Sequence, residues 1–264
     1  MADRYGHGLP VVLLHGQPGS AVDWRAVAPL LWDDFTVVVP DRPGYGRTGG
    51  EAQGFDENAS SLAVLLDGLS IKQAVVVGFS WGGGVALAFA QAFADRTAGL
   101  VLVASVGPGE AFGWEDRMLA APFVGEALAA LTLGTVGRVV GSARVQSLAR
   151  RYLDGRAREA VTVLTGMTGA RPGAAVWRSF VIEQRVILRD VEGLSRGLSA
   201  ITAPTAVLNG SADRVVPPHV GNRLAATIPG ASHTVVAGGH HLLPREHPEA
   251  VAAAVREVAE RHRG

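Results

Sequence analysis

The seventeen residues from Ala74 to Ala90 constrain this chain more than any others. Val75 to Val77 is a β-branched apolar run that reads as a strand buried on both faces, and the Ala/Leu-rich run after Gly84 reads as a helix. The chain must therefore reverse sharply between them, and Ser80 sits at the reversal. Gly78 and Gly82 flank it to give G-x-S-x-G, the pattern of a nucleophile elbow, in which small neighbours let a strained serine project its hydroxyl from a strand end. A helix starting near Trp81 aims its free backbone N–H groups and positive dipole end at any negative charge formed at Ser80.

Bulk properties narrow what such a serine can serve. At 264 residues the chain can bury a sizeable core, and an α/β domain carrying an insertion suits that length. Basic and acidic residues balance at 24 each, so no overall field favours nucleic acid or an anionic membrane. Cysteine is absent, which removes disulfides, thiolate metal sites and a cysteine nucleophile. No histidine cluster has metal-ligand spacing, no G-x-G-x-x-G follows a strand, and Lys72, the only lysine, suggests no phosphate cradle or Schiff base. We therefore expect no metal and no cofactor. The polar start from Met1 to Gly8 lacks a secretion pattern, so a cytoplasmic location is the default expectation. The most apolar stretch, Ala74 to Ala94, is interrupted by the elbow and ends in Asp95-Arg96, which suits a buried strand and helix rather than a membrane span.

Around the elbow, short apolar strands alternate with helical patterns. Strands are expected at Leu9 to Leu14, Phe35 to Pro40 and Gly99 to Ala104, a short helix at Trp24 to Leu31 with Asp23 as N-cap, and a helix starting at Asn58 or Ser60. This rhythm predicts an α/β fold: a doubly wound, mostly parallel sheet with its site at the carboxyl ends of the strands. The Gly/Pro-rich stretch His15-Gly16-Gln17-Pro18-Gly19 leaves the first of these strands, and Asp41-Arg42 reads as a turn brace.

From about Gly107 to Ala200 the β/α rhythm stops. Helical patterns cover Ala127 to Leu133, Ala143 to Leu153, Arg158 to Met167 and Trp177 to Leu188, as in a lid inserted over the strand ends. Its aromatic residues, Trp114 and Phe180 among them, could line a substrate pocket, whereas Glu183, Arg185, Arg189 and Asp190 read as a solvated or salt-bridged helix face. The rhythm resumes with strands at Pro204 to Leu208 and His233 to Val236 and a closing helix at Glu249 to Arg261.

Asp213 and the pair His240-His241 follow those last two strands, on the same sheet edge as Ser80. Serine, aspartate and histidine in that order, each after a different strand, suit a triad. A serine hydroxyl is a poor nucleophile until an imidazole accepts its proton, and the imidazole needs a carboxylate behind it.

With these pieces in hand, the chain resembles the α/β-hydrolase superfamily over nearly its whole length. The likeness rests on His15-Gly16, on Asp41 to Gly46, on the Gly78 to Gly82 elbow, on Asp213 within Gly-Ser-Ala-Asp-Arg-Val-Val-Pro, and on His241-x-x-Pro-x-Glu246. It implies a core of residues 1–106 and 201–264 and a helical cap at 107–200. It also implies an oxyanion hole from the backbone N–H groups of Gln17 and Trp81, each such donor worth about 3 kcal/mol of barrier. The family places Gly before its histidine, as Gly239-His240 does, but His241 keeps the spacing to Pro244, Glu246 and Pro248. The assignment is thus Ser80, Asp213 and His241, with His240 at the pocket rim beside Trp114 and Phe180. With so few residues before Leu9, a shortened sheet of about six strands is expected. The resemblance implies a serine hydrolase acting on a small to medium carboxylic ester. Carbon–carbon bond hydrolysis or perhydrolysis on the same triad, or a non-hydrolytic small-molecule receptor, are the other readings.

Overall fold

The computed structural model describes residues 2–109, 113–132, 147, 148, 151 and 176–264. Among them the strands are β1 (Ala2–Tyr5), β2 (Leu9–Leu14), β3 (Phe35–Pro40), β4 (Ala74–Phe79), β5 (Thr97–Val103), β6 (Thr205–Gly210) and β7 (Ser232–Val236). They form one sheet in the order β1-β3-β2-β4-β5-β6-β7. Pairings from β3 to β7 are all parallel, and β1 alone runs antiparallel, Ala2 opposite Pro40 and Tyr5 opposite Val37.

The valine-rich strands alternate their side chains between two cores. Val12, Leu14, Val38 and Val76 face a cluster built with α1 (Phe55–Gly68) and α2 (Trp81–Ala92). Their neighbours Val11, Leu13, Val37, Val75 and Val77 face the opposite cluster, which Val251, Val255 and Val258 of the closing helix complete. Apolar side chains on both faces of a parallel strand account for its continuous hydrophobic run.

The described part of the segment between β5 and β6 contains α3 (Trp114–Ala120), α4 (Val124–Leu131), α5 (Val176–Asp190) and a 3₁₀ stretch, Val191–Ala200. Helices α3, α4 and α5 pack on one another, and Val186, Ile187, Val191 and Leu198 join the core cluster of α1 and α2. Thus the segment is anchored on the sheet side of the molecule at its C-terminal end. The helix expected at Arg158 to Met167, and that at Ala143 to Leu153 apart from residues 147, 148 and 151, lie outside the described residues. After β6 come α6 (Pro218–Thr227), α7 (Leu243–Glu246) and α8 (Pro248–Arg263).

Several local expectations are corrected. The sheet has seven strands rather than six, because the polar residues Ala2–Tyr5 add an edge strand. A half-solvated edge strand needs no apolar run, so its sequence carries little strand signal. Helix α1 begins at Phe55, ahead of Asn58, because Phe55 packs its ring 4.5 Å from that of Trp81 while Asn58 donates to the Gln53 and Gly54 carbonyls. Trp24 to Leu31 is two short 3₁₀ turns, Ala21–Trp24 and Ala28–Leu30, and Ser20 rather than Asp23 caps the first. The expected helix at Ala127 to Leu133 starts earlier, at Val124. Among the described residues no helix is long and apolar enough to cross a membrane.

Candidate active site

The strand order reverses between β2 and β4, the switch point of the sheet, and the loops leaving those two strands at its carboxyl edge run in opposite directions from there. Ser80 is there, between the last residue of β4 and the first of α2, with φ 53° and ψ −121°. A non-glycine residue held so costs on the order of 1–3 kcal/mol, so the surroundings must enforce it. The Ser80 N–H donates to Val103 O (2.9 Å), and its carbonyl accepts from Gly83 N (2.9 Å) and Val106 N (3.2 Å). Close approach dictates the flanking glycines. A Cβ on Gly82 would lie 2.5 Å from the carbonyl oxygens of both Leu14 and His15, and one on Gly78 would strike the Gly82–Gly83 backbone.

His241 follows β7 and is 5% exposed. Its Nε2 lies 2.9 Å from Ser80 Oγ and its Nδ1 lies 2.9 Å from Asp213 Oδ2. Asp213 is held from behind, its Oδ1 accepting the N–H groups of Val215 (2.8 Å) and Val216 (3.0 Å). Because a carboxylate only accepts, Nδ1 of the neutral ring carries the proton and Nε2 is left to take one from Ser80. His240 turns the other way, its N–H donating to Glu246 Oε2 (3.3 Å) and its ring Nδ1 3.6 Å from the same oxygen.

The loop after β2 runs along the serine. A Cβ on Gly16 would stand 3.0 Å from that of Ser80, so the backbone leading into Gln17 passes at contact distance. On the other side, the Trp81 N–H opens α2 and belongs to the first-turn donors that have no partner within the helix. Around these two residues is a polar cluster that sequence reasoning missed. Arg42 donates through Nε to His15 O (2.9 Å), through Nη2 to Gly16 O (2.9 Å), and through Nη1 and Nη2 to the carboxylate of Glu183. Its guanidinium stacks 4.4 Å from the Trp81 ring centroid, and Tyr45 donates its hydroxyl to Glu183 Oε2 at 2.6 Å.

Glu183 is therefore fully buried rather than part of a solvated face, although Arg185 and Arg189 do form exposed or half-exposed ion pairs with Glu126 and Asp190. Burial pushes the Glu183 carboxyl up, against the pull of Arg42 and Tyr45, and pushes the Tyr45 phenol well up. The one sequence hint was position: Glu183 shares α5 with buried Val181, Val186 and Ile187. Burial also holds His15 well below its ordinary value, so it stays neutral; its Nε2 accepts the Arg42 N–H at 3.0 Å and its Nδ1 faces Gly16 O at 2.9 Å.

Two expected pocket residues are less engaged. Trp114, at the start of α3, is 68% exposed, and Phe180 on α5 is half-buried. Neither has a ring contact with His241 among the described residues. No group of three or more His, Asp or Glu side chains that could hold a metal occurs among the described residues. A cleft of about 590 Å³ lined by Tyr5, Trp24, Trp32 and Arg47 lies at the β1 edge and contains none of Ser80, Asp213 or His241.

The model of the alpha/beta hydrolase fold family matches residues 10–248. A thermophilic esterase from Thermogutta terrifontis superposes with a TM-score of 0.78 at 27% identity, over 100% of this chain and 94% of that one. Haloalkane dehalogenase 2 of Mycobacterium tuberculosis is 28% identical, over 96% of this chain and 88% of its own. The 2-hydroxy-6-oxo-2,4-heptadienoate hydrolase of Pseudomonas putida is 41% identical over 108 residues, 39% of each chain.

Proposed function

Given that the chain belongs to the alpha/beta hydrolase fold family, we propose that it is a serine hydrolase that cleaves a small to medium carboxylic ester through an acyl-enzyme. The observation that carries this reading is the unbroken contact from Asp213 through His241 to Ser80, at 2.9 Å on each side of the imidazole. In the first half-reaction Ser80 Oγ bonds to the ester carbonyl carbon while its proton passes to His241 Nε2. The carbonyl π electrons move to oxygen, which the N–H groups of Gln17 and Trp81 receive. Collapse breaks the carbon–oxygen bond to the alcohol, and His241 returns the proton to that leaving oxygen. Water then attacks the acyl carbon with His241 as base, the Ser80–acyl bond breaks, and the acid leaves as Oγ regains its proton. Asp213 holds the ring in the productive tautomer and stabilises the imidazolium.

Among the relatives, the esterase likeness supports ester chemistry. The family resemblance implies an aspartate at the elbow in dehalogenases and epoxide hydrolases, whereas this chain has Ser80 there, which favours acyl transfer. The likeness to the Pseudomonas putida hydrolase keeps carbon–carbon bond hydrolysis of a diketone-like metabolite as the second reading, because the same serine would attack a ketone carbonyl.

The test is turnover of short and medium p-nitrophenyl esters by the protein and by Ser80→Ala. A burst of nitrophenol that disappears in the variant is the expected result, and equal rates in both proteins would overturn the proposal. A phosphonate probe should leave its adduct on Ser80.

A further inference from the structure

Two consecutive residues of α5 reach both proposed oxyanion donors. Gln184 accepts from the Gln17 side chain, Nε2 to Oε1 at 2.9 Å, and its own Nε2 donates to Asp116 Oδ1 on α3 at 3.1 Å. Because the Asp116 carboxylate can only accept, the Gln184 amide is oriented with its oxygen toward Gln17, and the Gln17 amide is oriented in turn. Next to it, Glu183 holds Arg42, whose guanidinium grips the His15 and Gly16 carbonyls immediately before Gln17 and stacks on Trp81. The Glu183 carbonyl also faces the Trp81 indole N–H at 3.4 Å.

We propose that Glu183 and Gln184 are positioning residues for the oxyanion hole, so that α5 sets the placement of the Gln17 and Trp81 backbone donors from outside the sheet. The physical need is strict. A hole donor acts only when it is aimed at where the oxyanion forms, and displacements near 1 Å cost about a hundredfold in rate. The loop from His15 to Gly19 has no sheet partner of its own to enforce that aim, and the two α5 contacts supply it. The inference rests on the acyl-transfer reading above.

The experiment compares an oxoester with the matching thionoester, whose sulfur is larger and a poor hydrogen-bond acceptor and so draws little from the hole. Gln184→Leu carries the test, since it removes no buried charge; Glu183→Gln strands the Arg42 guanidinium and can fail to fold. In Gln184→Leu, kcat/KM for the oxoester should fall about tenfold to a hundredfold with KM nearly unchanged. The thionoester rate should fall less than about threefold, so the preference for oxygen over sulfur shrinks. The double variant Asp116→Asn/Gln184→Glu reverses the outer hydrogen bond and keeps an acceptor facing Gln17, and should restore most of the preference. A parallel fall of both substrates, with the preference unchanged, would overturn the inference while leaving the hydrolase reading intact. Absence of Ser80-dependent turnover in the unsubstituted protein would remove that reading and the inference together.

Discussion

Arg42 and Glu183 stand 141 residues apart in sequence and form an ion pair in which both side chains are essentially inaccessible to solvent. One partner is in the loop after β3 and the other is on α5, so the pair ties the segment between β5 and β6 to that loop, and Arg42 in turn holds the His15 and Gly16 carbonyls of the loop that passes Ser80. Tyr45 and the carbonyls of His15 and Gly16 satisfy the remaining polar atoms, which is the condition under which a buried pair is tolerated.

Breaking that pair from one side should be costly. Glu183→Leu leaves the Arg42 guanidinium buried without its counter-charge and should destabilise by roughly 3–5 kcal/mol. For a chain of this size that corresponds to a melting-temperature loss on the order of 6–20 °C. The double variant Arg42→Met/Glu183→Leu should recover a large part of it in a thermal melt. A double variant as unstable as the single one would show that the carbonyl contacts of Arg42, not the charge pair, matter most.

The two adjacent histidines should behave very differently. His241→Ala should lower kcat/KM on a reactive ester by at least about three orders of magnitude, since no base then contacts Ser80. His240→Ala, which loses only a half-exposed contact to Glu246, should stay within about threefold. Steady-state kinetics on both variants decide the matter.

Asp213→Asn should retain the fold, because an amide oxygen can still accept from the Val215 and Val216 N–H groups. The amide NH₂ would then face the imidazole and favour the wrong tautomer, with a fall in kcat on the order of 10⁴. Wild-type rates in this variant would remove Asp213 from the proposed mechanism.

His15 makes stability depend on pH. Burial keeps it neutral in the folded chain, whereas unfolded it takes a proton near its ordinary value of 6.5. Below that pH the unfolded state binds more protons, so stability falls as pH falls, with a slope approaching about 1.4 kcal/mol per pH unit from this one group. Urea unfolding at pH 7, 6 and 5 should show the loss, and His15→Gln should remove this share of it. An unchanged pH slope in the variant would contradict the buried neutral assignment.

Gly82→Ala should not yield a native protein. Its Cβ would meet two backbone carbonyl oxygens of β2 and its loop at 2.5 Å, and neither belongs to a side chain that can rotate away. Soluble protein with an unshifted melting temperature would show that α2 can retreat from β2.

The repeating strands, the elbow and the placement of Asp213 and His241 after separate strands are visible in the linear order of residues. Each is a local pattern: β-branched runs, a helix that follows a Gly-Ser-Gly reversal, and polar groups at strand ends. The edge strand Ala2–Tyr5 was not visible, because a strand solvated on one side needs no apolar run.

The primary structure by itself determined a two-faced parallel sheet with a serine at its sharpest turn, since alternation and glycine spacing act over a few residues. Only the folded chain decided that Glu183 is interior, that Gln17, Gln184 and Asp116 form one relay, and that His240 turns to Glu246, whereas the spacing of His241 to Pro244, Glu246 and Pro248 singles it out as the partner of Ser80 in the sequence itself. The long-range contacts join residues from 68 to 167 positions apart, and a hydrogen bond across such a distance leaves no periodic mark on the sequence of either partner. Between neighbouring histidines the choice lies in which ring the closing loop turns inward, and packing against Phe79 and the Asp213 carboxylate makes it.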